Sequence, residues 1–273
     1  MQNDILNYFG RSHAQYLHAK GELGTNVLIQ MLNSQPEEKI LELGFGTGTT
    51  LVQLSSCNKK TKFYGVESSI LMLNKAKARL RFCLLGDLVS LSFMKNKNHI
   101  PFESNSFDKI YLESVLAIQE GNNLQYLLEE IRRVLKPDGI LIMNETLWLD
   151  STNLDEIIHI NKLSKNAFGI IQSNSEYPYL NNWTELLNKF NFECELTTIL
   201  DDVKDEIKSE FRTLHKIASF TYTAIGKIRA RLNQELRKEN GLYKMNMKKI
   251  NPENKPLMRG IIIKARKKKL LTL

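Results

Sequence analysis

Short apolar runs alternate with segments of helical periodicity through residues 37–150 of the 273-residue chain. Runs rich in apolar and β-branched residues predict five strands, at 39–43, 62–67, 80–85, 107–112 and 139–144. Helical spacing between the strands predicts helices at 51–54, 70–78 and 124–135. Strands that alternate with helices are typical of βαβ units, in which the strands run parallel. The pattern therefore predicts an α/β domain.

Further elements flank this core. A helix is predicted over 17–32, and a helix at 183–190 is followed by a strand at 192–199. From Ile207 to Leu236, apolar residues recur mostly at three- and four-residue steps, which predicts a long amphipathic helix. Residues 256–266 then predict a closing strand.

Composition narrows the class of protein. The chain is 42% hydrophobic and 25% charged, and no apolar run approaches the roughly 18 residues that a membrane span requires. Residues 1–10 lack the basic start and apolar stretch of a secretory signal, so we expect a cytoplasmic protein. Cys57, Cys83 and Cys194 lie far apart and without a histidine pair, which indicates no disulfide framework and no metal site.

The net charge of +8 is placed unevenly. Residues 1–150 are balanced, 151–210 carry 5 Lys and Arg against 11 Asp and Glu, and 211–273 carry 17 against 3. The last quarter could attract nucleic acid or another anionic partner. The basic residues could equally form the solvated face of the amphipathic helix, and no aromatic-rich RNA-binding module is recognisable.

The stretch I-L-E-L-G-F-G-T-G-T-T at 40–50 runs from the first strand into three glycines. Ligands of parallel α/β sheets bind at the carboxyl ends of the strands, and glycine lets a ligand approach the main chain. Gly44, Gly46 and Gly48 give G-x-G-x-G, with Thr49 where a dinucleotide fingerprint has its last glycine, and the phosphate-loop signature is absent. The loop predicts a ligand site, with a phosphate cradle as the weaker interpretation and a tight strand-to-helix turn without a ligand as the alternative.

Two acids support a nucleoside ligand. Glu67 ends the second predicted strand, where a carboxylate can accept hydrogen bonds from both hydroxyls of a ribose. Asp87 follows the third predicted strand, where it could accept from an amino group such as that of adenine. Their positions beside one glycine loop favour a shared site.

With these features the sequence resembles the class I S-adenosylmethionine-dependent methyltransferases, especially the branch of ubiquinone-type and small-molecule enzymes. The resemblance covers about residues 13–200 and rests on ordered motifs: I-L-E-L-G-F-G-T-G, G-V-E-S-S-I-L-M-L-N-K-A, G-D-L, I-P-F-E-S-N-S-F-D-K-I, S-V-L-A-I and I-R-R-V-L-K-P-D-G-I-L-I-M-N-E. It implies a Rossmann-like, seven-stranded, mostly parallel sheet with helices on both faces, an N-terminal helical lid and a C-terminal helical insertion.

The resemblance also implies site residues by position. Contacts to the methionine part of S-adenosyl-L-methionine are expected from Glu42, Gly44, Gly46 and Gly48. Glu67 and Ser68 are expected to contact the ribose, and Asp87 and Leu88 to contact adenine. Glu113 and Ser114 are expected to lie near the sulfonium.

Two segments depart from the family pattern. H-A-K-G-E-L-G-T resembles the family's N-terminal H-P-G-G-x-x-x-T segment, from which His18, Gly21 and Thr25 carry over. Between Asp87 and Pro101 lie 13 residues, where the family has about five.

Glu113 and His18 are the candidate catalytic residues, although methyl transfer needs a general base only if the acceptor keeps its proton.

The implied organisation has four parts: a lid at 1–36, a cofactor-binding core at 37–200 with a substrate cap at 151–180, a basic helical insertion at 201–255, and a closing strand with a basic tail at 256–273. The predicted function is methyl transfer to a small-molecule acceptor. RNA or another polyanion is the alternative acceptor, and a non-catalytic cofactor-binding protein is a third interpretation. The oligomeric state is left open.

Overall fold

The computed structural model describes residues 5–203, 207 and 209–269. Within them the strands are β1 (Lys39–Leu43), β2 (Lys62–Glu67), β3 (Val89–Phe93), β4 (Phe107–Glu113), β5 (Leu135–Trp148), β6 (Phe192–Ile199) and β7 (Met258–Lys267). The α-helices are α1 (Ile5–Arg11), α2 (Gly21–Leu32), α3 (Thr49–Cys57), α4 (Ile70–Phe82), α5 (Asn122–Val134), α6 (Leu154–Phe168), α7 (Leu180–Lys189), α8 (Thr213–Leu232) and α9 (Gln234–Ile250).

The strands form one sheet in the order β3-β2-β1-β4-β5-β7-β6. Neighbouring strands from β3 to β5 pair in parallel, whereas β7 is antiparallel to both β5 and β6. The carboxyl ends of β1, β2 and β4 therefore meet at one edge of the sheet. The predicted α/β class and the mostly parallel seven-stranded sheet are confirmed.

Each face of the sheet carries its own apolar core. On one face, α5 and α7 contribute buried residues such as Leu128 and Trp183. On the other face, α2, α3 and α4 contribute Leu28, Leu51 and Leu80. Both faces of the parallel strands are covered, as expected for strands that read as nearly continuous apolar runs.

The third strand was predicted wrongly. The apolar run at 80–85 is not a strand, because α4 continues through Phe82 with Leu73, Ala76 and Leu80 packed into the core. The strand that pairs with β2 is instead β3, which begins at Val89. The displacement changes which residues lie at the carboxyl edge of the sheet.

The predicted long helix is two helices, because Asn233 ends α8 and caps α9 through its side chain. α8 packs on α3 and α4, and α9 packs on α6 and α1. Within the described part of the chain, no helix combines the length and apolar character that crossing a bilayer requires. The insertion thus lies against helices that flank the glycine loop and the N-terminal segment.

Candidate cofactor-binding site

The three glycines of the loop after β1 differ in what a side chain at each position would contact. All three have positive φ angles, of 75°, 51° and 78° for Gly44, Gly46 and Gly48. A Cβ atom on Gly44 would lie 2.6 Å from Val115, and one on Gly48 would lie 2.9 Å from Ala76. A Cβ on Gly46 would meet no protein atom within 4 Å. Gly44 and Gly48 are therefore needed for packing, and Gly46 opens onto free space.

That space belongs to a cavity of about 510 Å³ above the carboxyl ends of β1, β2 and β4. Six of the sequence-predicted site residues line it: Gly44, Gly46, Glu67, Ser68, Glu113 and Ser114. Aliphatic and thioether side chains close much of the rest, among them Leu6, Leu17, Met72, Met94, Val115, Ile118 and Ile170. The volume falls in the range of small-molecule and cofactor sites.

Glu67 is held at the cavity by the backbone. Its Oε2 accepts from the N–H of Gly46 at 3.0 Å, and its Oε1 accepts from the N–H of Ser69 at 2.9 Å. Burial raises the pKa of Glu67, while these backbone N–H groups and Ser68 act in the opposite direction. The carboxylate is thereby fixed in orientation and keeps further lone pairs for ligand hydroxyls.

Glu113 and His18, the two predicted catalytic residues, lie together. His18 Nε2 is 3.1 Å from Glu113 Oε2. The carboxylate also accepts from the hydroxyls of Thr25 and Thr50, at 3.0 and 2.7 Å, and from the amide of Asn144 at 3.1 Å. The cluster ties the segment before α2 to the ends of β4 and β5. Glu113 lines the cavity, whereas His18 lies behind it.

Glu42 lies inside the sheet and does not line the cavity. Its Oε2 accepts from the Tyr111 hydroxyl at 2.8 Å, and its side chain is buried. Burial raises the pKa of Glu42 well above its ordinary value, and the neighbouring charges of Glu113 and Glu67 raise it further. The hydrogen bond from Tyr111 acts in the opposite direction and lowers the pKa of Glu42.

The predicted placement of Asp87 and Leu88 at a carboxyl strand end is wrong. Both residues belong to a 3-10 helix, Gly86–Leu88, that precedes β3, so they lie at the opposite edge of the sheet from the cavity. The residue after β3 that does line the cavity is Met94, followed by Lys97. The 13-residue gap before Pro101 was the sequence signal, because it contains the five residues of β3.

Comparisons with known proteins agree with this geometry. Residues 40–139 match the family described as a methyltransferase domain. An uncharacterized methyltransferase of Bacillus subtilis, YodH, is 34% identical over 139 residues, which are 51% of this chain and 55% of that protein. Residues 40–139 thus carry a methyltransferase domain, and the rest of the chain lies outside this match. The part of the chain that matches YodH spans about half the length of this curated relative.

Solved structures share the fold of this methyltransferase domain and of the segments around it. A putative sarcosine dimethylglycine methyltransferase from Galdieria sulphuraria superposes with a TM-score of 0.67 at 16% identity, covering 96% of this chain and 97% of that one. A geranyl diphosphate C-methyltransferase from Streptomyces coelicolor, solved with S-adenosyl-L-homocysteine, gives a TM-score of 0.58 at 13% identity and covers 90% and 76% of the two chains.

Glu145, which lies beyond the matched residues 40–139, was not assigned to the site by sequence reasoning. From β5 it accepts the backbone N–H groups of Val115, Leu116 and Ala117, at 3.0, 2.8 and 3.2 Å. Burial raises the pKa of Glu145 to about 7 despite these three donors. The side chain fixes the turn after β4, which forms part of the cavity wall.

Arg79 fixes the opposite side of the glycine loop. The guanidinium is fully buried and donates to Thr47 in the loop, to the His13 carbonyl in the N-terminal segment, and to Ser219 and Thr223 of α8. Burial lowers the pKa of Arg79 to about 10, so it remains a cation at neutral pH. Loop, N-terminal segment and insertion are thus connected through one side chain. No cluster of potential metal ligands occurs among the described residues.

Proposed function

We propose that the chain binds S-adenosyl-L-methionine in the 510 Å³ cavity and transfers its methyl group to a small-molecule acceptor by direct displacement. The observation that carries this proposal is the joint position of the glycine loop and Glu67 at one end of the cavity. The cofactor, when bound, supplies an already activated methyl group, so the protein mainly binds, orients and excludes water.

The residues present fit such a cofactor. Gly46 leaves open space where any side chain would stand, and Glu67 offers buried carboxylate oxygens to two hydroxyls. Met94 and Lys97, which lie beyond β3, take the place that the sequence had given to Asp87 and Leu88 on the adenine side. Ser114, with a φ of 55°, carries the main chain past the cavity next to Glu113.

A small acceptor is supported by the way the cavity is covered. Leu6 and Leu17 come from the N-terminal segment, and Gly169 and Ile170 lie within the predicted substrate cap, directly after α6. These residues enclose the side of the cavity away from the sheet with apolar groups, and a folded polyanion would need a wide cationic opening there. The lid and cap assignments therefore remain part of this proposal.

The test uses S-adenosyl-L-methionine labelled in its methyl group. Calorimetry with the unlabelled cofactor should show saturable binding, and the label should pass to the small-molecule fraction of a cell extract. Label in the RNA or protein fraction would overturn the proposed acceptor class. Binding without any transfer would favour the non-catalytic interpretation, and the absence of binding would overturn the proposal as a whole.

A further inference from the structure

α8 buries mainly small and polar residues and exposes several large aliphatic ones. The face turned to the protein carries Ser219, Tyr222, Thr223 and Gly226, all buried. The outer face carries large aliphatic side chains that are mostly exposed: Leu214 at 80%, Ile217 at 59%, Ile228 at 56% and Leu232 at 79%. Surface helices normally place such residues toward the core.

The buried contacts of α8 explain this orientation. Ser219 and Thr223 accept hydrogen bonds from the buried guanidinium of Arg79. Gly226 lies so close to His13 that a Cβ atom would stand 2.3 Å from the imidazole. Turning the helix over would leave Arg79 without these acceptors, at the cost of an unsatisfied buried charge. The apolar face is therefore held outward by the fold.

The outer residues lie along one side of α8 as two pairs, Leu214 with Ile217 and Ile228 with Leu232. Positions 214, 217, 228 and 232 differ by 3, 11 and 4 residues, close to whole turns of a helix with 3.6 residues per turn. Large apolar side chains that are aligned on an exposed helix face are a feature of contact sites for other molecules. We call these four residues the α8 stripe.

Lysine and arginine side chains lie on the same helix as the α8 stripe. The 20 residues of α8 include four Lys and Arg and no Asp or Glu. Lys227 and Arg231 line a pocket of about 290 Å³ together with Arg237 of α9, beside the aromatic rings of Tyr8 and Tyr243. None of these three cations forms an ion pair with any described residue within 4.0 Å. They are available to anionic groups.

The charges decide between the molecules that could cover the stripe. A second copy of the chain, related by a two-fold axis along α8, would bring cations against cations with no acid on the helix to pair them. Nucleic acid would satisfy the cations but would leave the aliphatic stripe in contact with polar phosphates. An anionic membrane offers acyl chains to the stripe and phosphate headgroups to the cations.

We propose that the outer face of α8 docks the protein on the surface of an anionic membrane, with the α8 stripe inserted at the headgroup boundary and Lys227, Arg231 and Arg237 on lipid phosphates. α8 would lie in the plane of the membrane, as basic amphipathic helices do, without crossing it. This inference is independent of the proposed methyl transfer, because docking requires neither cofactor nor acceptor.

The test is co-sedimentation of the full chain with phosphatidylcholine vesicles that contain or lack phosphatidylglycerol. We expect binding to the anionic vesicles only, weakening as salt screens the charges. Ile217→Ser combined with Ile228→Ser should reduce the affinity at least about tenfold, because two aliphatic side chains no longer leave water. The matched control is Leu154→Ser combined with Ile158→Ser on α6, whose residues are similarly exposed, at 53% and 57%. The control should bind like the parent chain.

A second pair of variants tests the cations. Lys227→Gln with Arg231→Gln should also weaken vesicle binding, whereas Lys77→Gln with Lys95→Gln, at exposed positions elsewhere, should not. Absence of vesicle binding would overturn the proposal. So would a dimer in solution that Ile217→Ser with Ile228→Ser dissociates, or RNA binding that depends on the cations and ignores the α8 stripe.

Discussion

His18 Nε2 lies 3.1 Å from Glu113 Oε2, and their side chains are only 6% and 5% exposed. The Asn144 amide group stands 3.1 Å from His18 Nδ1 and donates to Glu113 at the same distance. His18 Nδ1 also lies 3.3 Å from the Ala19 carbonyl oxygen, and Nε2 lies 3.0 Å from the Thr25 hydroxyl, so both ring nitrogens have polar partners. Because Glu113 already has four partners, we infer that it positions the segment before α2 over the cavity.

Replacing Glu113 should therefore cost stability. Glu113→Ala would leave the buried donors of Thr25, Thr50 and Asn144 without their acceptor, and we expect the free energy of unfolding to fall by about 3 kcal/mol. Urea denaturation measures the change. Glu129→Ala, an exposed position on α5, serves as the control and should stay within about 0.5 kcal/mol of the parent. Equal losses in the two variants would contradict the positioning role.

We expect Gly46 to be required for cofactor binding and not for the packing of the protein. In Gly46→Leu the side chain would enter open space, so we expect the fold to persist with a modest loss from the positive φ of 51°. Binding of S-adenosyl-L-homocysteine by calorimetry should become undetectable. Gly121→Leu is the control, because Gly121 also has a positive φ, of 56°, with nothing within 4 Å, yet does not line the cavity. Unchanged affinity in Gly46→Leu would remove the cofactor from this site.

The pKa of Glu145 predicts how stability depends on pH. Its folded-state pKa of about 7 exceeds the ordinary value of 4.5, so the folded protein binds more protons between these values. The contribution of Glu145 is complete below pH 4.5, is lost as pH rises toward 7, and amounts to about 3 kcal/mol. Glu42 and Glu67, whose pKa values are also raised, add to the same trend.

Urea denaturation across this pH range provides the measurement. Glu145→Gln should reduce the fall in stability between pH 4.5 and 7, whatever its effect on absolute stability. Glu129→Gln, at an exposed site, should leave the slope unchanged. A slope in Glu145→Gln as steep as in the parent would show that Glu145 is already ionised in the folded protein.

Sequence patterns predicted the strand boundaries correctly where the local preference of the residues agrees with their tertiary packing. β1, β2 and β6 begin and end where the pattern predicted, because each is a short apolar or alternating run bounded by turns. The predicted positions of the glycine loop and Glu67 at strand ends agree with the structure for the same reason. Both lie at the cavity because they follow or end strands whose ends are determined by the local sequence.

The errors occurred where tertiary packing decides the outcome. The run at 80–85 has the composition of a strand, but α4 retains Leu80 because it packs against the sheet. α6 was missed in a polar segment, since its apolar residues Ile157 and Ile160 are buried in a separate cluster that includes Ile250 of α9. Arg79 has no sequence signature, because its partners include residues 140 and 144 positions away. Glu145 ends one of the motifs quoted for the family resemblance, but the sequence did not reveal its contacts with the turn after β4.

Two helical glycines should respond to alanine in opposite ways. In α8, a Cβ on Gly226 would stand 2.3 Å from the His13 ring, whereas in α9 a Cβ on Gly241 would meet nothing within 4 Å. Alanine favours helix over glycine by roughly 0.8–1.0 kcal/mol, so Gly241→Ala should stabilise the protein by up to that amount. Gly226→Ala should instead destabilise it by about 1–3 kcal/mol, because α8 must move away from His13 and Arg79.

Urea midpoints of the two variants give the sign of each change. Combining Gly226→Ala with His13→Gly provides the decisive comparison, because glycine at 13 removes both the ring and the Cβ atom, which lie 2.3 and 2.4 Å from the added methyl group. The double variant should be more stable than the sum of the two single changes predicts, with a coupling of about 1 kcal/mol or more. Additive effects would mean that His13 and Gly226 are not in contact, and that α8 is held against the N-terminal segment by other residues.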